Sequence, residues 1–70
     1  MNKIKVRILP RWEVFFVIQR DDTKEYFTLD DWRQVKWVAK LPFLFDDREK
    51  AEGKVNYHTN EVGDWELIVD

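Results

Sequence analysis

The side chains of this 70-residue chain that could carry chemistry are few. A general base working near neutrality is most often histidine, and the chain has one, His58. It has neither serine nor cysteine to activate. The alternation around His58 predicts an outward strand position just before a turn, which favours a solvated histidine over a catalytic one. Carboxylates come as neighbours at Asp21-Asp22, Asp30-Asp31 and Asp46-Asp47. Turns and helix starts both use such residues to receive backbone N–H groups, and that explains the pairs better than acid–base catalysis or calcium binding. No glycine loop for phosphate, zinc-ligand spacing or dinucleotide fingerprint is present. No catalytic residue, metal ligand or cofactor is expected, and the chain reads as a non-enzyme.

What remains is the chemistry of association. Two candidate surfaces follow from the elements expected to position them. Thr28-Leu29-Asp30-Asp31 offers N-capping chemistry, Pro42 ends the segment, and Lys36 and Lys40 fall towards its C-terminal end, so a helix is predicted from residue 29 or 30 to about residue 40. At 100° per residue Trp32, Val35, Val38 and Ala39 share the core-facing side. Trp37 then falls on the opposite side with Arg33, Gln34 and Lys40, an aromatic among cations that suits an interface hot spot or a base-stacking platform. The bland alternative is that Phe43 or Phe45 folds over Trp37. As partner-binding residues the sequence therefore offers Arg33, Trp37 and Lys40.

The second surface is a sheet face. Ile4, Val6 and Ile8 alternate with Lys3, Lys5 and Arg7, which predicts a half-buried strand over residues 3–9. Pro10 and Arg11 are read as a turn into a second strand over residues 12–20, with Trp12, Val14, Phe16 and Ile18 on one face. Phe15 and Val17 make its other face apolar too, as in a central or doubly covered strand. With a helix across one face, the open face would show Lys3, Lys5, Arg7, Phe15, Val17, Glu66 and Ile68. Phe15 and Val17 are further partner-binding candidates, for another protein or a second copy of the chain. Lys3, Lys5 and Arg7 are the candidates for phosphates of single-stranded nucleic acid, with Phe15 under a base. The alternative is that the Phe43-Leu44-Phe45 run covers this face.

The remaining elements are a turn at Asp21-Asp22-Thr23-Lys24, a short strand over residues 25–28, and an apolar run, Phe43-Leu44-Phe45, that is either an edge strand or an anchoring loop. A charged connection over residues 46–53 follows. Val55 and Tyr57, then Trp65, Leu67 and Val69, alternate about a turn at residues 59–64, with Asn60 and Gly63 supplying the turn chemistry, and predict a C-terminal hairpin. The expected fold class is α+β: a small antiparallel sheet of about five strands in β-β-β-α-β-β order, with one α-helix packed across one face.

Composition bounds the rest. Hydrophobic residues make up 44% of the chain and aromatics 16%, with no cysteine. A single domain is expected, its small core built mainly from aromatic side chains and without disulfides or thiolate metal sites. Neither a signal-peptide pattern nor an apolar run of about 20 residues is present, so a cytoplasmic protein with no membrane partner is the default. Formal charge is −2. It is unevenly placed: residues 1–40 hold nine Lys/Arg against six Asp/Glu, residues 41–70 three against eight. The function these features predict is a small adaptor or inhibitor docking on a larger protein or complex, as accessory genes, viral ones among them, often encode. The alternative is a single-stranded nucleic-acid-binding domain, against which the negative net charge counts.

Overall fold

The computed structural model describes residues 3–68. Its elements run β1 (Ile4–Arg11), β2 (Phe15–Arg20), β3 (Tyr26–Leu29), β4 (Val35–Val38), α1 (Arg48–Asn56) and β5 (Trp65–Leu67), with a π-helical turn over Tyr57–Val62 continuing α1. The strands form one curled, half-barrel sheet in the order β4-β3-β2-β1-β5. The fold is α+β with five strands and one helix, as expected. Two features differ. The sheet is mixed, because β5 runs parallel to β1 (Ile4↔Trp65, Val6↔Leu67), and the helix follows four strands instead of three.

β1 alternates as its sequence requires. Val6 and Ile8 are buried, while Lys5 is exposed and Arg7 half-buried on the other face. The strand continues through Pro10 and Arg11, and the chain turns at residues 12–14 instead. Trp12 and Val14 therefore leave the predicted strand face and stand in solvent. β2 lies between β1 and β3 and buries both faces, with Val17 and Ile18 pointing to opposite sides. The turn at residues 21–24 is where the sequence places it, closed by Arg20 N–H to Glu25 C=O at 2.8 Å.

Residues 29–40 are not a helix. Asp30 Oδ1 accepts from the backbone N–H groups of Trp32 and Gln34, each at 2.9 Å. The capping chemistry read from this segment thus closes a tight β-turn, and β-branched Val35 and Val38 with Trp37 continue as strand β4. The predicted C-terminal hairpin is absent for a matching reason. Asp47 caps α1 by accepting from Glu49 N–H at 2.8 Å. Asp46–Lys50 and Arg48–Glu52 pair one turn apart, and Ala51, Val55 and His58 fall on one buried side. Val55 and Tyr57, read as strand residues, belong to this helical segment; Val69 lies outside the described residues.

The helix packs into the hollow of the sheet. Val6, Ile8, Ile18, Phe27, Phe45, Ala51, Val55 and Trp65 form the core. Phe27 is its centre, with rings of Trp65, Phe43, Phe45 and Trp37 between 5.6 and 6.3 Å away. β2 and β3 share only the pair Gln19↔Tyr26 before diverging. Residues 43–45 enter the gap: Phe45 exchanges backbone bonds with Phe16 (2.8 and 2.9 Å) and Phe43 N–H donates to Phe27 C=O (2.9 Å). Phe43 and Phe45 of this apolar run anchor it on the core side, against Phe27.

Candidate functional site

His58 takes no exposed strand position. It is buried in the π-helical turn, its ring stacked on Trp65 at 4.0 Å and 15°, and its Nδ1 donates to Asp64 Oδ1 at 3.0 Å. Its carbonyl accepts from both Gly63 and Asp64 N–H groups. Nε2 of the ring is buried without a hydrogen-bond partner among the described residues, and the stacking on Trp65, the Asp64 contact and the engaged carbonyl make His58 a structural joint that ends the helix. Among the described residues, no group of three or more His, Asp or Glu could hold a metal ion.

The β3–β4 hairpin offers a surface of a different kind. Arg33 N–H donates to Asp30 C=O, and Asp30 N–H to Gln34 C=O, both at 3.0 Å. These bonds define a three-residue loop: a type I turn followed by a left-handed residue, here Arg33 with φ 62°. From Asp30/Gln34 the antiparallel bonding alternates, so Thr28 and Lys36 exchange bonds while Val35 and Trp37 turn their N–H and C=O groups away from β3. The same alternation leaves Phe27 C=O free for Phe43. β4 is the last strand of the sheet. Among the described residues no backbone group pairs with its outer side.

Beside this free edge lies a groove of about 520 Å³ lined by Thr28, Val38, Trp32, Lys36, Lys40 and Leu41, among others. Trp32 and Leu41 are 81% and 87% exposed, and Leu41 has φ 61°. Left-handed backbone disfavours a bulky side chain by about 1–2 kcal/mol. Leu41 therefore stands where both solvation and backbone conformation oppose a large apolar residue.

The sequence-derived site residues separate into two places. Arg33, Trp37 and Lys40 all belong to the β4 edge, though not as one helix face. Trp37 points to the core side, half-buried, with Trp65 at 5.5 Å and the Arg20 guanidinium 5.2 Å over its ring. Arg33 and Lys40 are exposed. Trp32, expected inside, is the exposed aromatic; the signal that could have found it is the pairing of an Asp turn with a two-residue alternation over residues 35–38.

Phe15, Val17, Lys5 and Arg7 lie on the outer sheet face, and Lys3 precedes it at the start of β1. Val17 is 1% exposed and offers no contact surface. Arg7 is tied to Asp21, which Lys24 also contacts at 3.3 Å. These cations hold the Asp21 carboxyl below its ordinary value, the Lys24 hydrogen bond being the largest cause. Reasoning from sequence missed Arg11 on this face, whose guanidinium lies 5.3 Å from the ring centroids of both Trp12 and Tyr26.

Compared with known proteins, the chain matches no family model, and no curated protein and no solved structure is significantly similar to it.

Proposed function

We propose that the chain is a non-enzymatic protein-binding module that docks on a larger partner by adding an extended segment of that partner to the free edge of β4. The carrying observation is the unpaired edge set beside Trp32 and Leu41, two large apolar side chains left in solvent. In strand addition the main-chain groups supply affinity and alternate side chains supply specificity. Here the N–H and C=O groups of Val35 and Trp37 supply the first. A strand laid against them sends one set of side chains into the groove of Thr28, Val38, Trp32 and Leu41 and the other against Val35 and Trp37. Arg33, Lys36 and Lys40 flank the edge, with Asp30 and Asp31 at its hairpin end, so acidic residues in the partner segment are favoured beside Lys36 and Lys40, away from the hairpin tip. Lys36 also guards the edge against indiscriminate pairing.

Affinity capture from the native host, comparing the wild-type chain with a Trp32→Ala/Leu41→Gly double variant, tests this reading. Neither change removes a core contact, and glycine suits the backbone at position 41. A partner captured by the wild type and lost by the variant is the expected outcome. Equal capture by both places docking elsewhere.

A further inference from the structure

The outer face of β1 and β2 carries a second assemblage, remote in composition from the β4 edge. Arg11 on β1 and Tyr26 on β3 meet across β2, and Trp12 flanks the guanidinium from the β1–β2 loop, each ring centroid 5.3 Å away. The plane of Arg11 is thereby constrained, yet among the described residues none of its N–H groups donates to a protein acceptor. A guanidinium held by aromatic faces with its hydrogen-bonding fork unused is preorganised for an oxyanion. Trp12 is 65% exposed and has φ 53°, with Phe15 edge-on at 6.4 Å. Burial does not account for the ring, and the successive left-handed residues Trp12 and Glu13, which turn β1 into β2, hold it out at the hairpin. The outer face carries more cations than carboxylates: Lys5, Arg11 and Lys36 share it, Glu66 of β5 lies beside Lys5, and the carboxylate of Asp21 is met by Arg7 and Lys24. Helix α1 packs against the opposite side of the sheet.

We propose that this face binds single-stranded nucleic acid, with a phosphate on Arg11, a base stacked on Trp12 and the backbone continuing towards Lys5. A displayed ring beside a fixed guanidinium fits a nucleotide, which brings a π-face and an oxyanion together. An acidic peptide brings carboxylates alone. From Arg11 to Lys5 the strand spans about 20 Å at its usual rise, enough for a short run of nucleotides.

The test is fluorescence anisotropy of a labelled oligothymidylate titrated with the protein at low and physiological ionic strength. Binding that weakens steeply with salt is expected. Arg11→Lys, which keeps the charge but loses the planar fork, and Trp12→Gly, which suits the left-handed backbone, should each weaken it by about tenfold or more. The unfolding temperature of Trp12→Gly should not fall, and Trp32→Ala at the β4 groove should leave the titration unchanged. Absence of binding at low ionic strength would overturn the proposal. So would binding indifferent to both variants, or competition by poly-L-glutamate as strong as that by unlabelled oligothymidylate, which would assign the face to an acidic protein.

Discussion

Trp37 and Trp32 sit five residues apart and have opposite fates. Trp37 is wedged between the Trp65 ring and the Arg20 guanidinium on the core side of β4. Trp32 stands at a hairpin tip. Removing a buried tryptophan costs about 3–5 kcal/mol, and for half-buried Trp37 a loss of about 2–4 kcal/mol is expected for Trp37→Ala. Trp32→Ala should stay within about 0.5 kcal/mol of the parent. Urea unfolding of the two variants checks both values, and equal losses would contradict the assignment of faces. The sequence allowed the reverse reading because a 3.6-residue period and a strand period coincide over short distances. Trp32, Val35, Val38 and Ala39 satisfy the first, and Val35 with Trp37 satisfies the second. Only the tertiary environment, a ring-lined hollow around Phe27 and Trp65, decides between them.

At the scale of elements, what could be read in advance was whatever repeats with period two and ends in ordinary turn residues. β1, the pairing face of β2, and the turn at residues 21–24 meet that condition. The loops that escaped notice carry left-handed residues other than glycine: Trp12, Glu13, Arg33 and Leu41. Their turn chemistry is invisible to rules that look for glycine or asparagine. The helix escaped for another reason. It has few apolar residues, its clearest marks being the Asp47 cap and two ion pairs one turn apart, and Gly53 interrupts it. A Cβ at Gly53 would meet nothing within 4 Å. Because mid-helix glycine costs about 0.5–1 kcal/mol relative to alanine, Gly53→Ala should stabilise the protein by about that amount. Thermal unfolding will show a raised midpoint if residues 48–56 are helical, and no gain if they form the charged connection suggested by composition. Of the candidate site, Arg33, Trp37 and Lys40 were legible as residues. The strand edge that unites them was not, since it exists only once β4 is placed last in the sheet.

For the whole molecule, one helix closes one side of a curled sheet, and ion pairs lie on both sides. Hydrogen bonds and charge from Lys24 and Arg7 lower the Asp21 carboxyl, Arg20 lowers Asp22, and Lys50 lowers Asp46 from the ordinary value of 3.8. Native carboxyls depressed in this way bind fewer protons than the unfolded chain in acid. Their contribution is therefore whole above the ordinary value and is lost as pH falls through the lower native ones. Lys50 is raised by Asp46 from 10.5, so its contribution holds below that pH and is lost as pH rises through the native value. Urea midpoints should accordingly decline below about pH 4. All four groups face solvent, so added salt should shrink the decline, and Asp21→Asn should flatten part of it.

The central claim is that the free edge of β4 receives an extended segment of another protein. Its most direct test is selection of peptides from a displayed random library on the folded chain, followed by mapping of backbone amide chemical shifts on titration with an enriched peptide. Enriched sequences should carry apolar and acidic residues, and the largest shifts should fall at the amides of Val35 and Trp37 and the indole of Trp32. Failure to enrich any peptide, or shifts confined to α1 or to β1 and β2, would contradict it.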